Sequence, residues 1–170
     1  MKTITNTNVT NITLPDDHTL SCAIADYMKM LGVPAHIKGY DYIREAIALV
    51  IKDRRVIGNI TTELYPTIAE KFGTTPSCVE RAIRHAIEVV FERGDLDILL
   101  EEFGNTFSPS KGKPTNSEFI AQVANSLRLR FEGHAAERNA FDQMPAMERE
   151  EFMALWKLYQ QTKAERLALA

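Results

Sequence analysis

The tightest constraint in this sequence is the run over residues 64–93, LYPTIAEKFGTTPSCVERAIRHAIEVVFER. It reads as two helices joined by a turn at Phe72-Gly73-Thr74-Thr75. Gly73 supplies a backbone that turns with φ > 0. Thr75 is placed to N-cap the second helix, and Pro76 suits its first position, where a missing N–H costs nothing. Gly94 is expected to close that helix at the C′ position. Ile68, Ala69 and Phe72 before the turn, with Val79 and Ala82 after it, are the apolar or small positions that a helix-turn-helix packs. Ala69 has to be small because the second helix crosses there.

Advancing about 100° per residue, the second helix gathers Val79, Ala82, Ile83, Ala86 and Val90 on one side. Ser77, Arg81, Arg84 and Glu88 fall opposite, with Cys78, Glu80 and His85 on the flanks. Two arginines near the start of an outward face suit the major groove of DNA, where Arg pairs bidentately with guanine O6 and N7. The same spacing also fits a structural helix pair with a solvated face.

TTPSCVERAIRHAIEVVFERG, with GVPAHIKGYDYIREAI upstream and KPTNSEFIAQVANSLRL downstream, resembles the effector domain of the stage zero sporulation protein A family. These are response regulators that govern the onset of sporulation. The resemblance spans Leu20 to Phe131, with VERAIRHAIEV and VPAHIKGY as its long matches. It implies an all-α DNA-binding transcription regulator that reads short boxes of the TGTCGAA kind in double-stranded DNA. Carried onto this chain, it makes Arg81 the first choice for base recognition, supported by Ser77, Cys78, Glu80 and Arg84. Glu80 would accept from a cytosine amino group or orient an arginine. His36, Lys38, Thr74, Thr75, Lys111 and Lys113 would hold the DNA backbone, although His36 equally fits a local cap.

Two departures stand out. Cys78 occupies a position where the family usually has arginine, and one lost arginine–base contact is worth on the order of 1–3 kcal/mol of discrimination. Residues 1–17 are too short for the phosphorylatable receiver domain that precedes the effector domain in that family.

The expected fold is all-α: a compact domain of about six helices over 18–131, a flexible arm over 1–17 and an extension over 132–170. Alternation through Val9, Ile12 and Leu14 leaves a short strand open in the arm. Helices are expected over 19–31, closed by Gly32, and over 39–53, burying Ile43, Ile47 and Val50. A third should run over 59–72, bent at Pro66. Asp95 can cap a short helix ending near Phe103, with a loop over 104–114 beyond it. Thr115-Asn116-Ser117-Glu118 has the capping-box pattern and opens a helix to about Phe131. Arg128 and Arg130 would then complement its dipole. Residues 133–144 read as a polar connector.

After Pro145, the residues Phe152, Leu155, Trp156 and Tyr159 form a stripe at i, i+3, i+4 and i+7. This amphipathic helix either folds back or pairs with a second copy. A homodimer is the preferred reading, because it would hold two copies on tandem sites. The rival reading is an interaction module with weak or no DNA binding. It would engage a regulator, RNA polymerase or its sigma subunit through the Trp156 helix.

Charge sharpens the DNA reading. The chain carries −3 overall, yet residues 34–131 hold 13 basic and 13 acidic side chains. Phosphate attraction must therefore come from one-sided placement, and non-specific binding should be weak. Cys22 and Cys78 lie far apart without metal spacing, which favours a reduced, cytoplasmic, nucleoid-associated protein. Cys78 is also a candidate redox-sensitive thiol near a helix N-terminus. His18, His36, His85 and His134 are scattered, and no phosphate-loop, zinc-hydrolase or nucleophile-elbow motif is present. No cofactor, metal, membrane span or enzymatic activity is expected.

Overall fold

The computed structural model describes residues 15–104 and 112–143, with side chains through 133, and positions 150, 154, 157 and 158. Every regular element among the described residues is helical, so the all-α expectation holds. The chain divides into a unit Met1–Phe131 and a unit Glu132–Ala170. All the buried side chains named below belong to the first. In the second, the described backbone is helical to Gln143 and at Glu150, Ala154, Lys157 and Leu158.

Helix α1 (Asp17–Met30) is capped by the Asp16 carboxylate, which accepts from the N–H groups of His18 and Thr19 at 3.0 Å. It stops at Gly32, where φ is +77°. The N–H of Val33 then reaches the Met28 carbonyl at 2.9 Å and that of Gly32 the Lys29 carbonyl at 3.0 Å, the paired closure of a Schellman motif. Helix α2 (Lys38–Lys52) buries Tyr42, Ile43, Ala46, Ile47, Val50 and Ile51, the stripe its 3.6-residue period requires.

The next stretch departs from expectation. A single helix from Asn59 bent at Pro66 does not form. The chain instead makes a 3₁₀ turn over Arg54–Asn59, a π turn over Ile60–Leu64, and only then helix α3 (Tyr65–Lys71). Pro66 has no N–H to return to the carbonyl four residues back, and its ring crowds that carbonyl. The wider π turn, closed by the Tyr65 N–H on the Ile60 carbonyl, relieves the crowding.

Helix α4 (Pro76–Arg93) buries Val79, Ile83, Ala86, Ile87 and Val90. It crosses the start of α2 so closely that a Cβ on Gly39 would lie 2.2 Å from the Ala82 carbonyl oxygen and 2.7 Å from the Ala86 methyl. Gly94 does close α4, its N–H on the Val90 carbonyl at 2.7 Å, but with extended backbone at φ −72° rather than the left-handed C′ form. Steric room explains glycine there: a Cβ would meet the Val90 carbonyl at 2.5 Å. Phe72, expected in the core, is 39% exposed; it packs with Tyr42 in a T-shaped pair with ring centroids 5.1 Å apart, and the Lys71 ammonium lies 6.0 Å from its ring centroid.

Helix α5 (Leu96–Phe103) is capped by Asp95 as expected. Helix α6 (Asn116–Gln143) opens on the predicted capping box. The Thr115 N–H donates to Glu118 Oε2 at 2.7 Å, and the Glu118 N–H to Thr115 Oγ1 at 3.3 Å. It does not end near Phe131 but continues to Gln143 through the expected connector, because the exposed Gly133 is tolerated where nothing crowds it. Arg128 and Arg130 are therefore mid-helix, and the Arg130 guanidinium stacks 4.6 Å from the Tyr27 ring centroid instead of serving a helix end. Phe103 and Phe119 stack at 5.0 Å and are fully buried.

One polar seam crosses this core. Glu102 of α5 accepts from the Tyr27 hydroxyl of α1 and, at 2.6 Å, from the Ser126 hydroxyl of α6. The Gln122 amide donates to the Glu102 backbone carbonyl at 3.0 Å. Burial, then the Glu102 contact, push the Tyr27 phenol up to about 12. The arm expected over 1–17 is shorter than that, because Asp16 caps α1 and Asp17 begins it; residues 1–14, Lys111, and the stripe Phe152, Leu155, Trp156 and Tyr159 lie outside the described residues.

Two measurements test this packing. Gly39→Ala gains about 1 kcal/mol of helix propensity but overpacks against rigid backbone. The expected result is a net loss of about 2 kcal/mol in urea unfolding, with Gly58→Ala, which meets nothing within 4 Å, near neutral. Equal stability of the two variants would contradict the close crossing. A raised phenol pKa favours the neutral form in the fold, so its contribution is complete below pH 10.0 and lost as pH rises through about 12. Tyr27→Phe should flatten the fall in stability over that interval; an unchanged slope would remove Tyr27 as its source.

Candidate nucleic-acid interface

The turn between α3 and α4 is built from local chemistry. Gly73 has φ +62°, its N–H bonds the Glu70 carbonyl at 3.3 Å, and the Thr74 N–H bonds the Ala69 carbonyl at 2.9 Å. This is a second Schellman closure, and it places Thr75 one residue later as the N-cap. Thr75 Oγ1 accepts from the Cys78 N–H at 3.3 Å, and Pro76 takes the first helical position. Four residues thus stop one helix and start the next.

With its apolar stripe held against α2 and α3, α4 turns Ser77, Cys78, Arg81, Arg84 and His85 to solvent. Glu80 and Glu88 are half-buried beside them. The predicted reading residues therefore share one helix and lie on its outward side. They are not electrostatically equal. Arg84 is ion-paired with Glu80 one turn earlier. Lys113, half-buried rather than a free cation, bonds Glu88 at 2.5 Å. Arg81 donates through Nε to the Ser77 carbonyl at 3.3 Å, and no carboxylate pairs with it among the described residues. One guanidinium on this face therefore keeps its outer fork available for a ligand.

The flanks fall into two groups. His36 and Lys38 are exposed at the start of α2, whose N-cap Ile37 makes no side-chain cap bond. The Gly39–Ala82 crossing brings that helix start beside the stretch of α4 carrying Arg81 and Arg84. Thr75 is exposed and Thr74 half-buried. The Thr75 and then the Thr74 hydroxyl bond the Cys78 thiol, and with Arg81 nearby they hold it below its ordinary pKa.

An open cleft of about 700 Å³ runs beside α4, lined by Ser77, Glu80, Arg84, Lys113, Asn116 and Tyr65 among others. Sequence spacing missed two of these. Asn116 donates to the Tyr65 hydroxyl at 2.9 Å and to the Glu80 backbone carbonyl at 3.1 Å. The capping-box pattern marked where Asn116 starts α6, but nothing local signals partners 51 and 36 residues away. Among the described residues, no group of three or more His, Cys, Asp or Glu is placed to hold a metal, and no helix is long and apolar enough to cross a membrane.

A helix-turn-helix whose second helix presents an arginine-bearing face over a buried apolar stripe is the arrangement of a DNA-binding regulatory domain. The family model described as sporulation initiation factor Spo0A C terminal matches residues 24–127, more than half of the chain, and the chain belongs to that family. It is the family of the DNA-binding effector domain of a sporulation regulator, with DNA as its partner, and is not an enzyme family.

The thiol gives a direct test of the site's electrostatics. A lowered pKa leaves more thiolate at a given pH, so alkylation of Cys78 should reach half its maximal rate below pH 9.0. Thr74→Val should move that midpoint upward without disturbing the Thr75 cap. A midpoint at or above 9.0 in the unaltered protein would contradict the described geometry.

Proposed function

We propose that this protein is a sequence-specific transcription regulator that reads duplex DNA by inserting α4 into the major groove. Arg81 is the principal reading residue, with Ser77, Cys78, Glu80 and Arg84 around it. His36, Lys38, Thr74, Thr75, Lys111 and Lys113 hold the sugar-phosphate backbone. The observation that carries this reading is the contrast in pairing: Arg84 and Lys113 each have a carboxylate partner, whereas Arg81 is exposed with its fork uncommitted.

The pairing also bears on affinity. Each phosphate contact made by Arg84 or Lys113 must first displace Glu80 or Glu88. Counter-ion release then yields less net gain, and the dependence on salt is shallower than for a basic domain. Discrimination rests on base contacts instead. Glu80 orients Arg84 through their i,i+4 pair, and Cys78 offers a small polarizable edge where an arginine would add another base contact. A duplex partner places the protein on the nucleoid. The homodimer and RNA polymerase or sigma-subunit partners expected of the Trp156 helix rest on its apolar spacing alone.

Fluorescence anisotropy with TGTCGAA-containing, pool-selected and scrambled duplexes across salt tests this reading. Arg81→Ala should lower the preference for the selected duplex about ten- to a hundredfold, as expected for one bidentate contact, with helix content retained. The selected duplex should also shield Cys78 from alkylation while Cys22, exposed on α1, still reacts. Undiminished preference in Arg81→Ala would reassign the reading residue. Full reactivity of Cys78 in the complex would remove α4 from the interface.

A further inference from the structure

We propose that Asn116 is the positioning residue that sets the roll of α4 about its axis and so makes base reading by Arg81 selective; this rests on the DNA-reading function above. Asn116 is the first residue of α6, yet its side chain bonds both helices of the helix-turn-helix. Its one amide nitrogen donates to the Tyr65 hydroxyl of α3 at 2.9 Å and to the Glu80 carbonyl of α4 at 3.1 Å. Both hydrogens of a planar amide are then committed, which fixes the two acceptors relative to each other.

The place of attachment is informative. The Glu80 carbonyl already faces the Arg84 N–H along the helix, so Asn116 takes its second lone pair. The bond therefore grips α4 from outside at the turn that carries Glu80, Arg81 and Arg84. The apolar stripe beneath α4 is buried, but apolar contact has no direction and tolerates a small roll of the helix. A roll of about 20° carries a side-chain end at roughly 6 Å radius through about 2 Å. That exceeds the roughly 0.5 Å spread of acceptable donor–acceptor distances. A directional bond to the backbone is what holds a bidentate contact within tolerance.

Asn116 is itself held firmly. The Thr115–Glu118 capping box fixes the residue before it, and Phe119 and Ile120 just beyond are fully buried. Pro114 is buried and Lys113 is tied to Glu88, so the approach to α6 is attached to α4 at a second point. Tyr65, the other acceptor, is buried at the first turn of α3. The amide thus belongs to a braced, half-buried corner.

The test uses the full chain with the pool-selected and scrambled duplexes. Asn116→Ala should lower the ratio of their affinities about tenfold, comparable to the loss of a base contact. Binding to the scrambled duplex and its salt slope should stay at the wild-type value. Hydrogen exchange should rise at the amides of the first turns of α4. Asn116→Leu, which keeps a similar volume without the donors and adds no charge, should behave alike and serves if the alanine variant fails to fold. Tyr65→Phe leaves the Glu80 bond in place and should lose less discrimination than either. A wild-type ratio in both Asn116 variants would overturn the proposal, as would a proportional fall on both duplexes, which marks a purely structural role. Should Arg81→Ala abolish discrimination while the Asn116 variants keep it, only this inference fails. Should the wild type itself show no preference, the inference and the DNA-reading function fail together.

Discussion

The arrangement depends on one close approach, that of Gly39 at the start of α2 to the Ala82 carbonyl of α4. Hydrogen is all that fits between the two backbones there. The crossing brings α4 in flat, so that Val79, Ile83, Ala86 and Val90 are excluded from water together. Burying those side chains stabilises each by roughly 1.5–3 kcal/mol against leaving it exposed, Ala86 much less. A helix held on that side has its opposite side determined: Ser77, Arg81 and Arg84 must face outward. The outward face is thus a consequence of apolar packing on the far side of the same helix.

Charge follows a comparable economy. A core with equal numbers of acids and bases cannot attract a polyanion through its overall field. Among the described residues, the ion pairs Arg84–Glu80 and Lys113–Glu88 cancel two cations locally. These partly exposed pairs add little to stability. Under the proposed DNA-reading function, their greater effect is to limit indiscriminate phosphate binding, which gives the uncommitted Arg81 fork a larger share of recognition. The lowered thiol pKa of Cys78 has the same local origin, arising from the Thr75 and Thr74 hydroxyls and the neighbouring Arg81.

What the sequence disclosed and what it concealed separate along one physical line. The Gly73 turn, the Thr75 cap, Pro76 at the helix start and the Thr115–Glu118 box each rest on bonds among neighbours a few residues apart. Such chemistry is written locally and was legible. So was the buried stripe of α4, because its period is that of the helix. The long-range bonds were not. Asn116 with Tyr65 and Glu80, Lys113 with Glu88, and Glu102 with Tyr27 join residues between 25 and 75 positions apart. No pattern in the chain distinguishes those polar residues from solvated ones. Arg130 was misread for a related reason: its assigned role assumed that α6 ended nearby, and exposed Gly133 is too weak a signal to end a helix packed along its preceding turns. Phe72 is more exposed than its apolar character suggests, because apolar character does not by itself imply burial and its T-shaped pairing with Tyr42 leaves it 39% exposed.

Helix α6 reaches four of the other helices through its own side chains. Its first residue grips α3 and α4 through Asn116, its middle bonds α5 through Gln122 and Ser126, and Arg130 lies on the Tyr27 ring of α1. A helix is stiff along its axis, so these attachments are not independent. Sliding α6 to improve the contacts with Glu102 would pull Asn116 from the Glu80 carbonyl, and the reverse holds equally. The register of α6 must satisfy both ends at once. The setting of α4 is therefore shared with the packing of α1 and α5. Its precision derives from the whole bundle more than from the turn that defines the motif.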